Sequence, residues 1–341
     1  MKAPGTGSTG TWSFVHESIV LHIEEATMSR TKLTLWAITL GGAIGVTGWL
    51  CPPATALAKV HEVKMIATEA EIVMHGTGEK YKAWTFNGQM PGPVVRVTEG
   101  DTVNFTLENP ATNANEHSMD FHAAEIDFLK NYRAIKPGDT IHYTFVAKKP
   151  GVFFYHCGAA PMLQHIARGM FGAIIVDPKD PKVWPKAERE FVLVQSELWN
   201  NPDDVQAMFD RKFDHVIFNG GVFKYHPFFP GSEALEAKPN ERVRIYFVNA
   251  GPNEFSAFHP IGEIWDNVYE SGNPANNLKG VQTYVVGPGS AATFDLISES
   301  PGVYPLVTHS LTAALRGAIA ALTVTPVAKD APLMPLTPWN P

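Results

Sequence analysis

Short runs of β-branched and aromatic residues punctuate the chain, many alternating apolar with polar positions and each bounded by Pro, Gly, Asn or Asp. TVNFTL (102–107), IHYTFV (141–146) and AIIV (173–176) are of this kind, as are RVRIYFV (242–248) and ATFDLI (292–297). Successive side chains of a strand point to opposite faces, so this spacing predicts short strands of a layered β protein. No helical period of similar weight occurs beyond residue 58. Two short helices are expected, within 200–211 and 311–316.

The pattern occurs twice. TFNGQMPGPVVRVTEGDTVNFTLENPATN (85–113) has its counterpart in IFNGGVFKYHP (217–227) and LEAKPNERVRIYFVNAGPN (235–253). KPGDTIHYTFVAKKPGVFFYHC (136–157) is echoed by GPGSAATFDLISESPGVYPLVTHS (287–310), with Pro137 and Pro288 at the same 151-residue offset as Pro150 and Pro301. Each copy closes on an apolar strand, GAIIVDP (172–178) or GAIAALTVTP (317–326). The expectation is an all-β chain of two tandem Greek-key β-sandwich domains, 59–180 and 181–341, linked near 178–188.

Composition narrows this further. The 28 Gly and 27 Pro suit many turns, and 45% hydrophobic with 18% charged residues suits a folded core. A net charge of −7 without long runs leaves no basic footprint, so no nucleic-acid partner is expected.

Residues 1–58 read as an N-terminal extension and signal peptide. Arg30 and Lys32 precede an uncharged, largely apolar run, 33–50, and Ala56-Leu57-Ala58 is a small-x-small cleavage pattern. Cleavage after Ala58 would start the mature chain at Lys59, exported to the periplasm and without stable membrane insertion. An uncleaved anchor is the alternative that 18 apolar residues allow. Residues 1–27 lie ahead of the basic region, so Met28 is a candidate start. Cys51 follows Trp49-Leu50, a poor fit to a lipidation site.

With that leader removed, Cys157 is the single cysteine of an exported chain, so no internal disulfide can form. A lone thiol in an oxidising compartment needs burial or a metal. It is followed by His165 and Met170, and two histidines, a thiolate and a long axial methionine are the ligands of a blue-copper site. The fourth ligand must come from another strand, and NEHSMDFH (115–122) offers His117. Strand parity then separates two groups. If Cys157 faces inward with His117, then His156 faces outward, and so does His122, five residues from His117. His122 and His156 could hold a second metal at the surface, with His309 in the second repeat as a third imidazole. Three imidazoles with an open position make a catalytic metal site.

HSMDFH (117–122), YHCGAAPMLQHIARGM (155–170) and VTHSL (307–311) resemble the copper-containing nitrite reductases, over nearly all of the chain after the leader. The resemblance implies two cupredoxin domains per subunit, a homotrimer and two copper ions per subunit. It implies type 1 copper on His117, Cys157, His165 and Met170, and type 2 copper on His122 and His156 with His309 of a neighbouring subunit. It also implies one-electron reduction of nitrite to nitric oxide, with the electron passing across the Cys157–His156 peptide. Asp120 matches the family's proton-handling aspartate, and His259 in AFHPIG (257–262) is the candidate second group. Better-known members carry that histidine further along, after a Gly-Gly pair. This chain has Gly262-Glu263-Ile264 there and resembles the branch with the shorter Cys-to-His loop. The electron donor is a small cupredoxin or a c-type cytochrome.

Two other classes are set beside this. A two-domain multicopper oxidase needs paired H-x-H motifs, whereas His117 and His122 are H-x4-H and Cys157 precedes Gly158. A plain electron-carrier cupredoxin leaves Asp120, His122, His156 and His309 without a role. His61, His75, His142, His215 and His226 read as surface or structural.

Overall fold

The computed structural model describes residues 58–325. The apolar run 33–50 and the cleavage pattern, apart from Ala58, lie outside the described residues. Among the described residues no helix is long and apolar enough to cross a membrane.

The first half forms β1 (Val60–Val73), β2 (Lys80–Phe86), β3 (Val95–Thr98), β4 (Thr102–Glu108), β5 (Asp120–Phe121), β6 (Thr140–Val146), β7 (Gly151–His156) and β8 (Phe171–Asp177). The second forms β9 (Arg189–Leu198), β10 (His215–Phe218), β11 (Leu235–Ala237), β12 (Arg242–Gly251), β13 (Ser256–Pro260), β14 (Trp265–Glu270), β15 (Asn277–Val281), β16 (Tyr284–Val286), β17 (Ser290–Ile297), β18 (Gly302–Thr308) and β19 (Ile319–Val324). Among the described residues four short α-helices interrupt them: α1 (Phe128–Asn131), α2 (Met162–Ala167), α3 (Val205–Phe209) and α4 (Leu311–Leu315).

The sequence repeat is a topological repeat. In the first half the sheets run β2-β1-β4-β6 and β3-β8-β7-β5; in the second they run β10-β9-β12-β17-β14-β15 and β11-β19-β18-β13-β16. The parallel pair β1·β4 corresponds to β9·β12, and β3·β8 corresponds to β11·β19. Only β14–β16 lack a counterpart; at that place the first half carries α1. The fold is two tandem cupredoxin-like Greek-key sandwiches.

Alternation explains the layering. β4 buries Val103, Phe105 and Leu107 while its other residues are partly exposed, and β6 pairs with it in the same phase. The first sandwich closes over Phe105, Phe121, Cys157 and Met170, and the second over Phe258, Trp265 and Phe294. β7 is different, being buried on both faces. Val152 and Phe154 on its outer face pack with Val194, Tyr246 and Val248 of the second half. That shared layer fixes the two sandwiches against each other and corrects one expectation: His156 faces away from Cys157 but is 5% exposed rather than open to solvent.

Each of the two expected windows holds one short helix, Val205–Phe209 and Leu311–Leu315. Within 200–211 only Val205–Phe209 is helical, because Asn201 Oδ1 accepts the Asp203 N–H in a turn and Asp204 then caps the helix through the Ala207 N–H. Arg211, at φ +58°, ends it. The six-residue α2 was not anticipated; one and a half turns are too few to show a period.

Candidate metal centres

Cys157 follows the last residue of β7 and is fully buried. Its Sγ lies 3.2 Å from Nδ1 of His165, which α2 carries. His117 comes from a separate segment, held to Ile135 by two backbone hydrogen bonds. Ligand atoms of His117, Cys157 and His165 all lie within 4.8 Å of one another. Met170 is also fully buried; its carbonyl accepts the Cys157 N–H at 3.0 Å and its N–H reaches the His165 carbonyl at 3.1 Å. Gly169, at φ +114°, turns the chain out of α2 and carries Met170 back beneath the cysteine.

Burial pushes the Cys157 thiol up to about 11. Burial, with His117 beside it, pushes His165 down to about 3, and burial also lowers His117 against the pull of Glu69. The set is therefore a neutral thiol with two neutral imidazoles. His117 Nδ1 is buried with no hydrogen-bond partner, an expensive arrangement unless a cation uses its lone pair. Thiolate, two imidazole nitrogens and a thioether suit a soft metal such as copper, whose binding would displace the thiol proton.

A second group lies on the other face of β7. β5 pairs with β7 so that Asp120 stands opposite His156, and opposite residues share a face. His122, two residues on, joins them; ligand atoms of Asp120, His122 and His156 lie within 4.8 Å of one another. Asp120 Oδ2 is 3.8 Å from His156 Nε2. His156 donates Nδ1–H to the Cys157 carbonyl at 2.9 Å, which leaves its Nε2 as a free lone pair aimed at the aspartate. Phe154 stacks on the same ring. His122 is exposed, so the group opens to solvent on one side.

His309 and His259 do not join either group; they form a pair of their own. β13 lies beside β18, and the two rings sit 5.1 Å apart between centroids. His259 donates Nδ1–H to the Gln282 carbonyl at 2.6 Å, leaving Nε2 free. His309 is exposed, and Phe255, Ile261 and Leu311 on the same segments, with Val285 of the neighbouring β16, add exposed apolar side chains. Asp120, His122 and His156 thus form one group, and His259 with His309 form another.

The comparisons with known proteins bear on which metal this serves. The multicopper oxidase family model matches residues 67–181. The copper-containing nitrite reductase of Neisseria meningitidis serogroup B is 39% identical over 280 residues, covering 78% of this chain and 69% of the relative. The solved structure of the copper nitrite reductase from Nitrosomonas europaea superposes with a TM-score of 0.77 at 56% identity, covering 78% of this chain and 94% of that one. This chain belongs to the copper-containing nitrite reductase family.

A blue copper oxidase from Nitrosomonas europaea is more distant, at 26% identity and a TM-score of 0.67 over 80% of this chain and 88% of that one. Both kinds of protein share the sandwich architecture, so the fold alone does not separate them. Within this nitrite reductase family chain, His117 and His122 lie in different groups on opposite faces, rather than paired in one cluster.

Several contacts at the sites were not legible beforehand. Glu69 accepts Nε2–H of His117 at 3.0 Å. The Ser118 N–H points at Cys157 Sγ at 3.3 Å, while Ser118 Oγ accepts the Gly158 N–H at 2.8 Å. Trp84 lies against His165 and His117, with centroids 4.7 and 5.8 Å away, and Arg168 covers its outer face at 4.2 Å. Ser118 and Arg168 lie inside the ligand motifs themselves, whereas Glu69 and Trp84 come from β1 and β2, and no local spacing links those two to the motifs.

Proposed function

We propose that this protein reduces nitrite to nitric oxide by one electron: NO2− + 2 H+ + e− → NO + H2O. The observation that carries the reading is the pair of back-to-back groups joined by the single peptide between His156 and Cys157, in a chain of the nitrite reductase family. His117, Cys157, His165 and Met170 would hold a type 1 copper, and His122 and His156 a type 2 copper. Copper in the first set would supply one-electron transfer, and copper in the second would bind and polarise nitrite.

The residues around these sets do the rest. Asp120, beside the free Nε2 of His156, is placed to hydrogen-bond a substrate oxygen and hand it a proton. His259 keeps Nε2 available for the second proton because Nδ1–H is committed to Gln282. The stack of Phe154 on His156 and the Cys157 carbonyl fix the ring, so its lone pair needs no reorganisation. The apolar rim around His309 supports an interface with another copy, and we read the subunits as a closed homotrimer. In it His309 of one subunit would complete the Asp120–His122–His156 group of the next, giving two coppers per subunit.

We further take residues 59–180 and 181–341 as the two domains, cleavage after Ala58 as the route to a periplasmic mature protein, and a small cupredoxin or c-type cytochrome as the electron donor. Electron paramagnetic resonance on copper-loaded protein tests the central reading. Two cupric signals in equal amount are expected, with nitrite perturbing only the one of larger hyperfine splitting. A single signal indifferent to nitrite would make the protein an electron carrier instead.

A further inference from the structure

Glu69 makes a contact unlike any other around the buried metal set. From β1, its Oε1 accepts His117 Nε2–H at 3.0 Å, the Asn115 N–H at 2.9 Å and the Asn115 side-chain amide at 3.1 Å. Its Oε2 accepts the Ala114 N–H at 3.1 Å. Four donors therefore converge on one carboxylate, whose side chain is 16% exposed beside a fully buried imidazole. Such a carboxylate is fixed in place and shielded from much of the solvent that would screen it.

Two consequences follow for His117. A neutral imidazole has one ring N–H, and committing it to Glu69 at Nε2 leaves Nδ1 without a proton. That nitrogen is the buried atom without a protein partner, and it belongs to the set with Cys157 and His165. The negative charge on the distal side also makes the ring a stronger electron donor, which favours the more highly charged state of a bound metal. A purely mechanical role is less economical. Asn113 already ties the same segment to β1, donating its side-chain amide to the Ala67 carbonyl at 2.9 Å.

We propose that Glu69 is a positioning residue for the buried copper: it sets the tautomer in which His117 can bind, and its charge lowers the copper's reduction potential. This rests on reading His117, Cys157, His165 and Met170 as the copper set. Glu69→Gln keeps an oxygen for the His117 bond and removes the charge. Glu69→Ala removes both. Glu71→Gln is the control, because Glu71 is a carboxylate on the same strand, paired with Lys80 at the surface.

The test is a spectroelectrochemical titration of the thiolate-to-copper absorption in the copper-loaded full chain, with copper counted per chain. Glu69→Gln should bind copper as wild type does and raise the reduced-to-oxidised ratio at a fixed poise by about tenfold, equivalent to ~59 mV for one electron. Glu69→Ala should also weaken copper binding at this set by about 10–100-fold. Glu71→Gln should move the ratio less than about twofold. A Glu69→Gln ratio unchanged from wild type, or a Glu71→Gln shift of equal size, would overturn this inference alone. Wild-type protein lacking the thiolate-to-copper absorption would overturn the copper reading and this inference with it.

Discussion

His156 and Cys157 are joined twice, by their peptide bond and by a 2.9 Å hydrogen bond from His156 Nδ1 to the Cys157 carbonyl. The two side chains nevertheless leave β7 on opposite faces. One enters the sulfur–imidazole set inside the first sandwich, and the other enters the carboxylate–imidazole group beneath the second half. Adjacent residues can serve two separate centres because a strand alternates its faces.

His156→Ala should separate the two centres. The visible thiolate absorption is expected to persist, while copper falls from two per chain to one, as read by elemental analysis beside the spectrum. Loss of the absorption would place His156 in the Cys157 set and reverse the assignment by parity.

Asp120→Asn removes the carboxylate but keeps the size of the side chain. Both coppers should remain, and turnover should fall by about 10²–10⁴-fold, the usual contribution of a positioned proton-transfer group. Wild-type turnover in a fully loaded variant would remove Asp120 from the reaction.

A site shared between subunits can be restored by mixing variants. His156→Ala and His309→Ala should each be inactive alone. Co-expressed, they should recover about a quarter of wild-type activity, because a random closed ring places an intact His156 next to an intact His309 at that share of its interfaces. No recovery in mixed oligomers of confirmed composition would mean that both residues serve one subunit's own site.

Away from the metals, Arg244 and Asp295 form a buried pair, with Nε–Oδ1 and Nη2–Oδ2 both at 2.8 Å. Trp184 covers the guanidinium at 4.0 Å. Asp295→Ala leaves that charge buried and unpaired, so denaturant unfolding should show a loss of about 3–5 kcal/mol. The double variant Arg244→Met/Asp295→Leu should lose much less.

Asp101 carries an acid-sensitive part of the stability. Burial raises its carboxyl, but hydrogen bonds from the Lys59 and Thr98 N–H groups and from His61 outweigh that and hold it below the usual aspartate range. A depressed carboxyl stabilises the fold above its unfolded pKa, and the contribution is lost as pH falls through the folded one. Asp101→Asn should therefore be less stable than wild type at neutral pH. The difference should shrink as pH drops below about 4, which paired unfolding curves would show.

The features that depend on local order were legible in the sequence. Alternation marked strands such as 102–107 and 141–146, which bury one face and leave the other at least partly exposed. The 151-residue offset of the Pro-Gly pairs marked the repeat that the sheets then reproduce, apart from the added β14–β16. Cys157, His165 and Met170 could be grouped because one short segment carries all three, and parity divided His117 from His122. Only the tertiary structure decided what lies against those residues. Glu69 reaches His117 across 48 residues of sequence, and Gln282 reaches His259 across 23, through strand neighbours that no local spacing encodes. The same holds for the burial of His156 on the outer face of β7, the face whose Val152 and Phe154 pack with Val194, Tyr246 and Val248. Period and spacing are properties of a few consecutive residues. Tautomer, solvent access and the separation of His259 and His309 from the Asp120 group depend on which distant surfaces meet, and the fold alone brings those together.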